Sequence, residues 1–463
     1  MSSSTSTQLP DTLDGSAVGA RPTHFRWVVL ATIFVTYVVC MADRSNVGAI
    51  LPMIKGEFSI SNFQSGAISS FFFLGYAISQ IPAGLLMTKK GTRGIVSLAV
   101  LVFSIITFLM GFTTSAIALL VLRLLLGIME GPTPVGMTST INAWFPAKEK
   151  GTATGIYIAS TQFAPIIVPP IAVALAAAAG WRSVFHWFAV PGIIMAVVFF
   201  FVVRSHPRQS KRVNAAELNH ITSSDDGKRD HGGFGTMPLI DKIVRVRDAD
   251  PLDTNAKVLR SWNIWGNTLA YFFMNNVLYG MLTWIPSYLV AARGYSFIKM
   301  GFVASAPSIG GLVGALIGGV VSDRVFHGRR KPTMLITALM TAVMLVAVLV
   351  VPQNTVLVMG SLILTGFFLN IGWPSFTSYA MNLATDKTYP FAISIINSGG
   401  NLGGFFAPMI VGGLLDAFGG NYTVAFSYFV VVLLLGLGLI LTLIEARPRT
   451  EVLEAQQMGI EQS

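Results

Sequence analysis

Charge is scarce in this chain and cysteine is almost absent. Of 463 residues, 11% are charged and one is cysteine. Soluble domains carry about 25% charge, so an ordinary soluble globule is excluded. The single cysteine, Cys40, excludes a disulfide framework within the chain and leaves the redox compartment unread. The Ser/Thr-rich start, residues 1–23, lacks a basic stretch leading into a short apolar core with a cleavage site. No signal peptide is therefore expected. Ser-His-Asp sets, zinc-ligand spacings, Walker loops and dinucleotide fingerprints are also missing, and the glycine-rich stretches lie inside apolar runs, the wrong setting for a phosphate cradle. An enzyme, a metal and a bound cofactor are not expected. The net charge of +10 has no basic, aromatic-interleaved soluble module behind it, so nucleic acid is not an expected partner.

What is present is hydrocarbon. Hydrophobic residues make up 53% of the chain, enough for about twelve spans of roughly 20 residues. Hydropathy and helix breakers predict spans at 26–50, 59–87, 94–112, 115–138, 151–178, 183–203, 264–291, 299–322, 333–351, 355–380, 390–415 and 422–445. The segment between the sixth and seventh differs in kind. It mixes both signs of charge, as in Asp225-Asp226-Gly227-Lys228-Arg229-Asp230, and has no apolar run long enough to cross. The expected organisation is a tail over 1–25, a six-helix bundle over 26–203, a linker over 204–260, a second six-helix bundle over 261–446 and a tail over 447–463. The fold class is all-α membrane protein, with twelve transmembrane helices in two pseudo-symmetric six-helix bundles.

Loop charge predicts the orientation. Lys89, Lys90 and Arg93, then Lys148 and Lys150, the linker, Arg324, Arg329, Arg330 and Lys331, and finally Arg447 and Arg449 all fall on one side of a twelve-span chain. The other side holds only Lys55, Arg182, Arg293 and Lys299. Cationic loops stay cytoplasmic, which places both termini and the linker in the cytoplasm of a multi-pass plasma-membrane protein (the inner membrane if the source is bacterial).

Four charges break the apolar pattern: Asp43 and Arg44 in the first span, Arg123 and Glu130 in the fourth. Each costs about 2.5–3.5 kcal/mol at bilayer depth and persists only with a partner or a wet cavity. Arg123 and Glu130 are seven apart and share a helix face. Asp43 and Arg44 are adjacent and point about 100° apart. The expected geometry turns Asp43 toward Arg123 and Arg44, without a mate, into a central cavity. Arg44 keeps its proton, and its planar fork suits a carboxylate, so it is the expected anion anchor. A structural ion-pair cluster locking the first bundle is the alternative. Histidine His186 is expected to sit near a membrane surface, and Gly310, Gly314 and Gly318 to be a packing stripe.

A weak repeat connects the halves. Gly84-Leu-Leu-Met-Thr88-Lys89-Lys90-Gly91-Thr92-Arg93 follows span two, and Gly319-Val-Val-Ser-Asp323-Arg324 follows span eight. Both resemble the signature loop of the major facilitator superfamily, a family of two six-helix halves with a mid-membrane site. Thr88 stands where that loop usually has aspartate, which puts the gating contacts of the first half in question. The runs Tyr37-Val-Val-Cys-Met-Ala-Asp43-Arg44-Ser45-Asn46, Arg123 to Pro134, and Asn142-Ala-Trp144-Phe145-Pro146 resemble its anion:cation symporter branch, which includes permeases for galactonate, glucarate, hexuronates and phthalate-type acids.

The resemblance implies proton coupling at Asp43 and Glu130, with Arg123 beside them. It implies substrate contacts from Tyr76 and Gln162 in the first half and from Tyr279, Asn397, Thr377 and Ser378 in the second. Thr377 replaces a ring used in relatives and puts a sugar-acid substrate in question; Trp373, one turn earlier, would partly refill the pocket or simply pack. The expected function is proton-coupled uptake of a small organic anion, most simply a sugar acid, by alternating access. The expected partners are that anion, the proton as coupling ion and the lipid bilayer, with the protein a monomer. Aromatic or other carboxylates as substrate, an exchanger or exporter, and a non-transporting membrane sensor or scaffold are the competing readings.

Overall fold

The computed structural model describes residues 21–222, 237–385 and 387–447. The charged run at 225–230, most of the first tail and Arg449 lie outside the described residues, as does the side chain of Thr88.

The first half contains α1 (Phe25–Phe58), α2 (Asn62–Lys90), α3 (Thr92–Met110), α4 (Ala116–Glu130), α5 (Pro132–Trp144), α6 (Ala147–Ala179) and α7 (Trp181–Val202). Among the described residues that follow, three short helices are α8 (Ala215–Thr222), α9 (Pro238–Val244) and α10 (Asn255–Arg260). The second half contains α11 (Trp262–Ala291), α12 (Phe297–Val303), α13 (Ala306–Val320), α14 (Lys331–Val350), α15 (Thr355–Ile371), α16 (Trp373–Ser378), α17 (Tyr389–Ala417) and α18 (Tyr422–Thr442). Among the described residues, ten helical segments of at least 18 residues are apolar enough to cross a bilayer. The other two expected spans are α11 and α17, continuous helices of 30 and 29 residues. They fall short in hydropathy because they carry asparagines and glycines such as Asn275, Asn276, Asn397 and Gly399 to Gly404.

Glycine sets how closely the helices pack. A Cβ at Gly310, Gly314 or Gly318 would overlap the carbonyl oxygens of Ile363, Phe367 and Ile371, so α13 lies directly on the backbone of α15. On α17, Gly399, Gly400 and Gly403 give the same close approach to Thr268, Tyr271 and Phe272 of α11. Close approach maximises dispersion contact, the main source of helix association where lipid is as apolar as the side chains.

The halves touch at the end of the bundle away from the linker. Gly66 and Asn62 of α2 lie against Pro408 and Gly412 of α17, and Gly301 of α12 lies against Val173 of α6. The Asp416 carboxylate, at the end of α17, accepts from Asn62 N (2.9 Å), Asn62 Nδ2 (2.7 Å) and Phe63 N (2.8 Å). It thereby caps the first turn of α2 across the boundary between halves.

The linker is docked in two pieces. On the first half, Glu217 of α8 accepts from Phe25 N, Arg26 N and Arg26 Nη1 at 3.0–3.2 Å, and from Thr23 Oγ1. Burial pushes its carboxyl up, but these bonds outweigh burial and hold it below the usual value. The other piece binds the second half. Val246–Arg247 pairs in parallel with Glu445–Ala446, and the Arg329 guanidinium meets Asp241 at 2.6 Å. The Glu445 carboxylate accepts from Arg330 N and Lys331 N at 3.1 and 2.7 Å, and burial pushes it up to about 7. Arg329 and Lys331, expected among the cytoplasmic loop charges, are 1% and 0% exposed. Lys331 Nζ is spent on the carbonyls of Val244 and Leu443. The signature-loop Asp323 pairs with Arg330 at 2.6 Å within its own loop.

Candidate functional site

Helix α1 has 34 residues, about 51 Å at 1.5 Å per residue. Asp43 and Arg44 therefore sit near its midpoint, far from either end. Helix α4 stops at Glu130 because Gly131 and Pro132 break the span into α4 and α5. Pro134 has no N–H for the Glu130 carbonyl; Thr133 Oγ1 donates there instead, at 2.7 Å. Gly131 packs on Ser79 and the Tyr76 carbonyl, where a Cβ would collide. The break thus brings the glutamate and Tyr76 of α2 together.

Arg44 and Glu130 form the centre. Arg44 Nε and Nη2 both donate to Glu130 Oε1, at 2.9 and 2.6 Å. The two side chains are 3% and 0% exposed. Glu130 Oε2 is buried without a hydrogen-bond partner among the described residues. The guanidinium lies 4.3 Å above the Tyr76 ring and 5.1 Å from Phe72. Nη1 reaches the Tyr279 hydroxyl of the second half at 3.4 Å, and the Tyr279 ring packs on Phe73 with centroids 4.2 Å apart. The expectation of a mateless Arg44 is corrected: its mate is Glu130, and the pair sits on the boundary between the halves.

Asp43 does not pair with Arg123 either. Its carboxylate accepts from Thr107 Oγ1 of α3 (2.8 Å) and from Asn46 Nδ2 (3.2 Å). Arg123 instead donates to two main-chain carbonyls, Asp43 O at 2.9 Å and Ile68 O at 3.3 Å. It therefore braces the backbone of the charged turn and leaves the carboxylate alone. An arginine's five donors can be satisfied by carbonyls as well as by acids, so the mere presence of an acid nearby did not fix its partner.

A second cluster lies alongside. Gln162 of α6 donates to Asn370 Oδ1 of α15 across the halves, at 2.8 Å. Both residues line a cavity with Ser45, Leu278, Ile285 and Pro307. Asn370 Nδ2 is spent on the Gly366 carbonyl at 2.9 Å. A Cβ on Gly311 would press on both amides.

Asn397, Thr377 and Ser378 are half-buried, and among the described residues no hydrogen bond joins them to Arg44, Glu130 or Gln162. Thr377 donates to Pro374 O of its own turn, and Ser378 Oγ is buried without a partner. Trp373 packs edge-on against Tyr271 at 5.0 Å. His186 packs against Phe108 and Phe112. The residues missed from sequence are Thr107, Asn46, Phe72, Phe73 and Asn370. Asn46, one turn from Asp43, carried a usable signal; a threonine and phenylalanines in apolar helices carried none.

The model of the Major Facilitator Superfamily matches residues 33–327 and 294–462. A probable galactarate/D-glucarate transporter from Bacillus subtilis (strain 168) is 28% identical over 418 residues, covering 86% of this chain and 88% of that protein. A D-galactonate transporter from Escherichia coli O6:H1 is 29% identical, covering 90% and 95%. A probable sulfoacetate transporter from Cupriavidus necator is also 29% identical, covering 90% and 93%. Among solved structures, a bacterial homologue of the human lysosomal transporter Spinster, in an inward-facing and occupied conformation, matches with a TM-score of 0.70 at 17% identity, over 91% of this chain and 97% of that one. Two helical halves, a charged pair buried where they meet, and a family match spanning both halves lead to one conclusion: this chain belongs to the major facilitator superfamily of membrane transporters.

Proposed function

We propose that the protein is a proton-coupled uptake carrier for small organic anions of the sugar-acid type, a monomer with both termini in the cytoplasm. The observation that carries this reading is the way Arg44 is held. Two of its donors converge on one oxygen of Glu130, while the other oxygen is buried and unpaired. A buried pair of this kind holds only while both members are charged. A proton taken at Oε2 cancels the charge on Glu130 and loosens its hold. Arg44 cannot shed its own proton; it then takes the carboxylate of an incoming substrate through the same fork. Loss of the proton toward the cytoplasm restores the Glu130 charge and expels the anion. Asp43, held by a threonine and an asparagine, is the second acid in this reading, and Arg123 fixes its backbone.

Tyr76 and Tyr279 flank the guanidinium from opposite halves, so an anion bound there would be felt by both. Gln162, Asn397, Thr377 and Ser378 would read the hydroxyls farther along the chain of a sugar acid. The names of the relatives, for galactarate, glucarate and galactonate, support the substrate class. The test is uptake by proteoliposomes under an inward proton gradient, with a panel of sugar acids and aromatic acids. Arg44→Ala strands Glu130 as a buried lone charge, a loss of about 3–5 kcal/mol, and is expected to cut uptake more than about 100-fold. Arg44→Lys, a point charge without the fork, is expected to recover only part of it. Uptake by Arg44→Ala at the wild-type rate would refute the anchor.

A further inference from the structure

A site of a different kind lies on the outer face of the first half. Gly94, Leu98 and Leu101 of α3 and Val197, Phe200 and Phe201 of α7 line an open groove of about 280 Å³. Leu98 and Phe201 are 61% and 62% exposed, so the groove faces the surroundings of the bundle and not its core. At its linker end stand two arginines. Arg93 Nε and Arg204 Nη1 both donate to the Phe200 carbonyl, at 2.7 and 3.0 Å. Their guanidinium groups are therefore held within a few ångströms of one another. The Arg93 guanidinium lies 4.0 Å over the Phe200 ring.

The backbone here is fixed. Arg93 N donates to Ser205 Oγ at 3.3 Å, and Trp144 Nε1 donates to Arg204 O at 2.8 Å. Among the described residues neither arginine has a carboxylate partner. One carbonyl accounts for a single donor of each; an arginine has five. Two unneutralised cations at one end of an apolar trough match one chemistry: an anionic head on a hydrocarbon tail.

We infer that this groove is a binding site for one anionic phospholipid of the bilayer. Its phosphate would bridge Arg93 and Arg204, and one acyl chain would lie between α3 and α7. Arg93 is in the first turn of α3, and Arg204 follows the end of α7 at Val202, so both stand where apolar helix gives way to polar chain. A phosphate also suits the positive end of α3, and arginine binds phosphate oxygens in pairs.

Native mass spectrometry of the full chain in detergent micelles tests this. The probes are palmitoyl-oleoyl phosphatidylglycerol, the matching phosphatidylcholine, dihexanoyl phosphatidylglycerol and inorganic phosphate. One tightly held phosphatidylglycerol is expected, in preference to phosphatidylcholine. Arg93→Gln and Arg204→Gln are each expected to weaken its retention about fivefold. Gly94→Leu fills the groove with both arginines intact. A Cβ at Gly94 meets nothing within 4 Å, and leucine is the better helix former, so this variant folds; it is expected to lose the long-chain lipid. The inference is overturned if phosphatidylcholine is retained as well as phosphatidylglycerol, or if Gly94→Leu holds phosphatidylglycerol like the wild type. It is overturned equally if inorganic phosphate or the short-chain lipid binds as tightly as the long-chain one.

Discussion

The assignment of partners inside the bundle turns on single side chains. Adjacent residues on a helix point about 100° apart, which fixes the angle between Asp43 and Arg44 but not what each of them faces. Packing turns Arg44 to Glu130 and Asp43 to Thr107. That choice depends on the rotation of a 34-residue helix held by α6, α7, α2 and α11, and a local pattern holds no record of it. The charges themselves were legible, because a carboxylate or guanidinium in apolar sequence is too costly to be idle. Asn370 was not, since an asparagine inside a span costs far less and has many bland uses. Its bond to Gln162 nonetheless crosses the halves beside the cavity. Asn370→Leu leaves Gln162 Nε2 without its partner, at about 1–3 kcal/mol. For a hydroxylated acid KM is expected to rise about tenfold, and for the analogue lacking those hydroxyls to change little. Competition uptake with the two acids measures the ratio, and an equal change in both would assign Asn370 to packing alone.

At the scale of elements, hydropathy located the spans well because each must satisfy its own backbone in lipid. Breaks inside spans were harder. The α4–α5 break was written in Gly131 and Pro132, whereas the meeting of α2 and α17 at their far ends was not. Asp416 is an exposed acid at a helix end and reads as an ordinary loop charge until its three bonds to the start of α2 are seen. A carboxylate on a helix N-terminus contributes about 1 kcal/mol. This one contributes only while the halves are closed on that side. Asp416→Ala is expected to shift the equilibrium toward the state open there by about fivefold. The rate at which a membrane-impermeant maleimide labels Phe71→Cys reads this out, since Phe71 faces Phe405 across the seam and Cys40 is buried. An unchanged rate would mean that the cap does not hold the seam.

For the whole molecule, composition and the paired signature loops made the two-half plan readable from sequence. The division of the linker was not readable, because short polar helices leave no periodic signal in mixed charge. Its first piece is fastened to the first half by Glu217 and its second to the other half by Asp241, Val244 and Glu445. Each half therefore carries its own portion of the linker, and the Arg44–Glu130 pair of the first half meets Tyr279 of the second at the boundary. The claim that Glu130 takes up a proton as Arg44 takes up the substrate anion is tested most directly by calorimetric titration of the sugar acid across pH, on wild type and Glu130→Gln. The account predicts that wild-type affinity falls as pH rises and protons become scarce, and that the glutamine variant, already neutral, binds the acid with much of that dependence gone. An identical pH dependence in both proteins would contradict it.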